Sequence, residues 1–584
     1  MHRRIWPLCL FAFFTFFLSV LISSPAYSQA LRTRFEESGG TQTPPYAEII
    51  QWWQKLDATS GKVKLLTMGM TDAGFPLHLA VLSNRGDYNF EQIRKNNKRV
   101  ILINNGIHPG EPDGIDASML LARDIVAGKY RIPDHVVLAF IPVYNIGGCL
   151  NRSAQYRVDQ NGPEEFGFRG NSQNLDLNRD AIKCDSREAR AFTEIFHLTD
   201  PDVFVDNHVS NGADYQHVMT LLTTQHTKLG GVMGEYLAKE FEPALYRSMK
   251  TKGYDLIPYV NVWGDSPDKG WSDYWDSPRY ASGFAALWHS FSFVPETHML
   301  KPYNDRVLST YALMQCFIEF TAANSEKIRQ LRKEQKEAAA RAEKFPIRWS
   351  LDKTVFKEVL FRGYAAAYKP SGVSGQPRLY YDRSRPYDKL VPIYDHFPPV
   401  EWVEKPAAYI IPQGWWKVTD LLRLNKVVMK PLSQDTVIEV EVYRITDYRT
   451  QPRQYEMHHL NYDVKTSLQK EKIAFRKGDW YIPLNQPANR FLVETLEPRG
   501  EDSYFAWNYF DAILGQKEGY SAYAFEDIAA DYLAKTPALQ QQLNERRAAD
   551  TAFAKDGRAQ LNFVYQQSPW FEPVHMRYPV YRVR

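Results

Sequence analysis

The sequence predicts an α/β fold: a mixed, largely parallel central sheet with helices on both faces, continued by a β-rich C-terminal region. Three observations predict it. Strand-like runs such as Val-Ile-Leu-Ile at 100–103 and Val-Val-Leu-Ala-Phe-Ile-Pro-Val at 136–143 are apolar at nearly every position. Such runs suit strands covered on both faces rather than half-solvated ones. They alternate with helical candidates as far as residue 345, as layered βα units do, and beyond it β-prone runs lie between Pro, Gly and Asn breaks.

In chain order, residues 1–28 read as a signal peptide. His2, Arg3 and Arg4 make a basic start, 5–22 is apolar, and Ala26-Tyr27-Ser28 places small residues where a signal peptidase reads. A membrane anchor competes with this reading, because a run of about 18 residues just spans a bilayer. The small residues directly after the run favour cleavage, and no lipobox-like Cys follows. The expected mature chain starts at Gln29, secreted or periplasmic, with no stable membrane span. Residues 29–345 form the expected first domain. Its strands fall at 63–68, 77–82, 99–104, 136–143, 203–206, 218–223 and 290–294, and its helices at 115–127, 186–196, 228–240 and 305–342. The last helix ends in a run of both charge signs, which reads as a solvated face, and then meets Phe345-Pro346. Residues 346–584 form the expected second domain, β-rich and accessory, with strands at 408–411, 437–445 and 480–482 and a late helical stretch at 520–549.

The 584 residues exceed what one hydrophobic core usually serves, and 44% hydrophobic with 24% charged residues is a globular composition. The formal charge of +3 comes with no basic patch, which argues against nucleic acid as a partner. Once Cys9 leaves with the signal, Cys149, Cys184 and Cys316 remain. Cys149 and Cys184 flank one loop and could pair; burial of all three as small apolar side chains is the equal alternative.

Four stretches carry chemistry. In Arg99-Val-Ile-Leu-Ile-Asn-Asn-Gly-Ile-His108-Pro-Gly-Glu111-Pro112-Asp113 a buried strand ends in a turn, and Pro112 suits the first turn of a helix. The carboxyl edge of an α/β sheet is where such proteins place their sites, and a His and Glu three apart can reach one cation. In Asp202-Val-Phe-Val-Asp-Asn-His208 a second apolar strand delivers a His at its end. Each alone reads as an ordinary loop or rim residue. Two His and one Glu together make the usual three-ligand set of a catalytic zinc, which leaves a position for water. Phe293-Val-Pro-Glu296 puts a carboxylate near the end of a third apolar strand, where burial without a role is expensive. Asn174-Leu-Asp176-Leu-Asn178-Arg179 offers a guanidinium fork beside an amide donor, suited to a carboxylate.

In order and context these motifs resemble the zinc carboxypeptidase family of the carboxypeptidase A type, over roughly residues 40–325. The resemblance implies one Zn2+ per chain held by His108, Glu111 and His208, with Asp176 orienting the first His ligand. It implies that Asn178 and Arg179 bind the substrate's terminal carboxylate and that Glu296 is the general base. Arg169, after Phe168, matches the oxyanion-stabilising Arg, with Arg157 as the alternative. Tyr280, in Tyr280-Ala-Ser-Gly, matches the substrate-capping Tyr, with Tyr274 as the alternative. The implied activity is hydrolysis of the C-terminal amide bond of peptides bearing a free carboxylate. A peptidoglycan stem-peptide amidase and an N-acyl amino acid deacylase of related fold would keep most of these residues. An inactive binding protein would have lost a ligand or the base, and none is substituted.

Overall fold

The computed structural model describes residues 31–584; the expected signal peptide, with Cys9 and the expected new terminus at Gln29, lies outside them. Two compact units divide the chain. The first runs to Lys405 and takes back Asp420–Val428 and Leu484–Asp502; the second comprises Pro406–Thr419, Met429–Pro483 and Ser503–Arg584. The units interleave along the sequence, where a single division after residue 345 was expected.

The first unit contains strands β1 (Val63–Met70), β2 (Pro76–Leu82), β3 (Arg99–Asn104), β4 (Val136–Ile141), β5 (Val203–Asp206), β6 (His208–Ser210), β7 (Met219–Thr223), β8 (Ile257–Pro258), β9 (Trp271–Ser272) and β10 (Phe291–His298). All but β9 form one nine-stranded sheet in the order β1-β2-β4-β3-β5-β10-β7-β8, with β6 also on β10. The centre, β4-β3-β5-β10, is parallel; β1, β2 and β7 join antiparallel. The runs that read as apolar on both faces are the central strands, and β3, β4 and β5 are buried throughout.

Helices Asp113–Val126 and Arg187–Thr199 follow the expected spans within a few residues, and Tyr303–Ala323 starts two residues before the expected 305. The expected helix 305–342 is two helices, broken at Asn324, whose side-chain amide donates to the Phe320 carbonyl (2.9 Å) and so caps the first. The expected helix 228–240 is likewise in pieces, His226–Leu229, Gly231–Tyr236 and a π-turn at Leu237–Phe241.

Residues 344–405 stay with this unit because their strands pair within it. β11 (Lys344–Trp349) pairs with β14 (Pro399–Glu404), and the hairpin β12 (Lys357–Pro370) and β13 (Pro377–Tyr394) pairs through β13 with β9. Phe361, Val391 and Ile393 close on Tyr215, Ile257 and Trp271 in one apolar cluster. Cys149, Cys184 and Cys316 are buried free thiols.

The second unit is a six-stranded sheet, β15 (Ala408–Ile411), β16 (Lys430–Pro431), β17 (Thr436–Thr450), β18 (Asn461–Phe475), β19 (Trp480–Pro483) and β20 (Tyr581–Val583), in the order β16-β19-β15-β20-β17-β18. Helices from Ala522 to Gln566 pack on their own core of Phe525, Leu543 and Tyr565. No helix among the described residues is long and apolar enough to cross a membrane.

Candidate active site

His108 and Glu111 occupy the turn that leaves β3, closed by the Glu111 N–H donating to the His108 carbonyl (2.8 Å). Pro112 then starts the helix Asp113–Val126. That helix descends tightly onto the ends of β3 and β5. A Cβ on Gly114 would lie 2.4 Å from Asn207 Cβ and 2.5 Å from Asn105 Oδ1, so glycine alone fits. His208 opens β6, directly beyond β5. Across the parallel pair it stands in register with Glu296 of β10, which lies inside a strand longer than the run 290–294 suggested.

One ligand atom each from His108, Glu111 and His208 lies within 4.8 Å of the others, and all three residues are buried. The two imidazoles are oriented alike. His108 Nε2 lies 2.8 Å from Asp176 Oδ1, and His208 Nε2 lies 3.1 Å from Asp206 Oδ2. Their Nδ1 atoms turn to Glu111 Oε2, at 3.4 Å from His108 and 3.1 Å from His208. His108 Nδ1 has no hydrogen-bond partner although it is buried. Imidazoles backed by carboxylates, converging with a third carboxylate, are the donor set of a zinc site. The residues fit the metal.

Glu111 is held from both sides. The Val209 N–H donates to Oε2 (2.9 Å), and Arg157 Nη1 donates to Oε1 (2.7 Å) while its Nη2 reaches the Val209 carbonyl (3.3 Å). Burial opposes the charge on Glu111, but Arg157 and the histidines outweigh it and hold the carboxyl well below its usual range. Burial likewise opposes a charged His208, and Asp206 with Glu111 overrides it, so without a cation this imidazole keeps a proton to high pH. Asp176 accepts from His108 Nε2, from the Asn178 N–H (3.0 Å) and from Arg169 Nε (3.0 Å) and Nη2 (2.9 Å). Although burial alone would raise it, His108, Arg169 and Arg179 depress its carboxyl strongly.

Glu296 differs. Among the described residues its carboxylate makes no hydrogen bond and no ion pair, and burial pushes it up to about 8 against the pull of His208.

His108, Glu111, Arg169, Asn178, Arg179, His208, Tyr280 and Glu296 all line one cleft of about 330 Å3, joined by Tyr274 and Tyr259. Every residue singled out in the sequence for this site comes to it, with Asp176 behind the lining. Arg179 lies over the Tyr280 ring, 4.7 Å from its centroid, and Tyr274 packs on Tyr280 at 5.4 Å. Of the two arginines weighed for the oxyanion, Arg169 lines the cleft with a half-exposed side chain. Arg157 is spent on Glu111. Sequence reasoning missed Asp206, although Asp206 and His208 fall two apart on an extended segment, hence on one face.

The zinc carboxypeptidase family model matches residues 49–211. Over these residues, under a third of the chain, the sequence is similar to that family. The match holds all three candidate ligands with Asp176, Asn178 and Arg179; Tyr280 and Glu296 lie beyond it. No protein of curated function matches the sequence. Among solved structures, a metallo-carboxypeptidase from Burkholderia cenocepacia is similar at 17% identity, over 48% of this chain and 70% of that one, with a TM-score of 0.36. Carboxypeptidase A from Helicoverpa armigera is similar at 14% identity, over 48% and 74%, with a TM-score of 0.35. The family match and the residues of the cleft carry the reading, not these distant likenesses.

Proposed function

We propose that this chain is a secreted zinc carboxypeptidase that removes the C-terminal residue of peptides. The observation that carries this is Asn178 and Arg179 facing the same cleft as the three ligands and Glu296. A free carboxylate gripped by the guanidinium would set the neighbouring amide beside the metal group. Zinc held by His108, Glu111 and His208 would polarise the scissile carbonyl and bring the pKa of water from 15.7 to about 7. Glu296 accepts the proton of the attacking water and returns it to the leaving amine; a half-buried carboxyl without partners among the described residues is free for both tasks. Arg169 donates to the developing oxyanion from the cleft wall, steadied by Asp176. Tyr280, packed on Arg179, closes over the bound residue.

The test crosses Arg179→Ala with amidation of a peptide's C-terminus. Each removes one charge-assisted pair worth about 1.5–3 kcal/mol, so each alone should cost roughly 10- to 150-fold in kcat/KM. Together they should cost little more, because both remove the same interaction. Additive losses, or equal cleavage of free and amidated peptides by the wild type, refute an exopeptidase and favour a deacylase or endopeptidase.

A further inference from the structure

A second cavity, of about 270 Å3, opens at the opposite edge of the sheet, where β3, β5 and β10 begin. His289 lies just before β10, whose first residue, Phe291, is about 17 Å along the strand from Glu296 at roughly 3.3 Å per residue over five residues. The cavity is therefore separate from the catalytic cleft, and no residue lines both.

Its lining combines unpaired polar atoms, at least two of them donors, with an excess of cations. Both ring nitrogens of His289 and the indole Nε1 of Trp288 are buried without a hydrogen-bond partner. His289 is 1% exposed, and its backbone is left-handed at φ 59°, an uncommon conformation for a residue other than glycine. Burial, reinforced by nearby Arg490, Lys336 and Arg332, keeps the ring neutral, so it offers one N–H and one lone pair. His197 packs edge-on against Trp288 at 4.6 Å. Arg94, Lys336 and Lys426 line the same cavity. The only carboxylate among the described residues of this lining, Asp200, is already matched by Arg332 (2.8 Å) and Lys336 (3.2 Å). The Lys426 ammonium makes no ion pair or hydrogen bond among the described residues. Leaving three buried polar atoms unpaired costs about 1–3 kcal/mol each, and three cations around one carboxylate repel.

We infer that this cavity binds a small oxyanion bearing two or more negative charges, a phosphate or a di- or tricarboxylate, with Arg94 and Lys426 at the rim and Trp288 and His289 at the floor. Such a ligand supplies the acceptors that the chain lacks and balances its charge.

The test is calorimetric titration of the mature chain with inorganic phosphate, with citrate and with glucose as the uncharged control. Phosphate or citrate should bind one to one, and which of them binds separates the two sources; glucose should give no heat. The exposed pair Arg94→Gln and Lys426→Asn, the latter tolerant of the left-handed backbone at φ 56°, should raise Kd roughly tenfold or more. That pair should leave peptide hydrolysis unchanged, and His289→Asn should weaken binding independently. Arg179→Gln should leave anion affinity intact, because that guanidinium lines the other cleft. The inference is overturned if neither anion binds, or if affinity survives the rim pair and falls with Arg179→Gln.

Discussion

Two arginines approach Glu111, and they predict opposite failures. Arg157 Nη1 sits 2.7 Å from Glu111 Oε1 with a largely buried side chain, whereas Arg169 Nη1 is at 3.6 Å and half-exposed on the cleft wall. On the proposed mechanism, Arg169→Gln removes a donor to the developing oxyanion. It should lower kcat by about 10²–10³, or 2.7–4 kcal/mol of transition-state stabilisation, with little change in KM. Its bonds to Asp176 are partly solvated and add little, so zinc should remain stoichiometric. Arg157→Gln removes the clamp on a ligand carboxylate, and such supports are typically worth 10- to 100-fold in metal affinity. The assay is steady-state hydrolysis of a free-carboxylate peptide at saturating zinc, beside competition for zinc against a graded chelator. The reasoning fails if Arg169→Gln stays within threefold of wild type while Arg157→Gln loses two orders of magnitude in kcat with zinc saturating. Arg157 would then be the oxyanion donor.

The ligand set predicts that His108→Ala or His208→Ala leaves the purified protein without zinc; near one equivalent of metal by elemental analysis in either variant would remove that residue from the set. Glu296→Gln should retain zinc and lose hydrolysis, since only the proton acceptor is gone; substantial turnover would point to another base. Asp116, fully buried with Oδ2 on the Tyr303 hydroxyl and Oδ1 unpaired, is pushed up to about 7 by burial. The folded state therefore binds the proton more tightly than the unfolded chain, and stability drains away as pH rises from about 4 to 7. Asp116→Asn should gain on wild type across that window, by at most about 4 kcal/mol in denaturant unfolding at pH 8; parallel stability curves from pH 4 to 8 would contradict this.

The parts of the site legible in the sequence were those where chemistry and backbone are local. His108 and Glu111 share one turn, and Asp176, Asn178 and Arg179 share another. His208 and Glu296 are strand residues at one sheet edge, and apolar runs mark those strands. Arg157 was only an alternative because 151–175 is irregular chain with no periodicity to place it, and its partner lies 46 residues back. The extent of the first unit was obscured for a related reason. The β texture after 345 is real, but which sheet it joins depends on pairings such as Ile393 with Trp271 that propensity does not encode. The break at Asn324 was hidden because helical periodicity continues on both sides of it.

Four carboxylates gather around this cleft, and the contrast among them is the strongest physical argument for a hydrolase. Glu111 has Arg157 and a backbone N–H, Asp176 has His108 and Arg169, and Asp206 has His208 and the Asn104 amide. Each of those is neutralised or hydrogen-bonded, as a carboxylate taken out of water must be. Glu296 alone has neither, although its neighbours on β6, β7 and β10 include hydroxyls that could have served it: Ser210, Thr220 and Thr297. The Thr220 hydroxyl instead donates to the Glu296 backbone carbonyl (3.2 Å), and the Thr297 hydroxyl to Asp113. A rise from 4.5 to about 8 means that, without a cation beside it, this carboxyl holds its proton at neutral pH, and ionising it there costs on the order of 1 kcal/mol. Any polar partner would relieve that cost, and would also compete with water for the same oxygens. That this cost is retained at one position and relieved at three adjacent ones supports the proton-acceptor role proposed for Glu296.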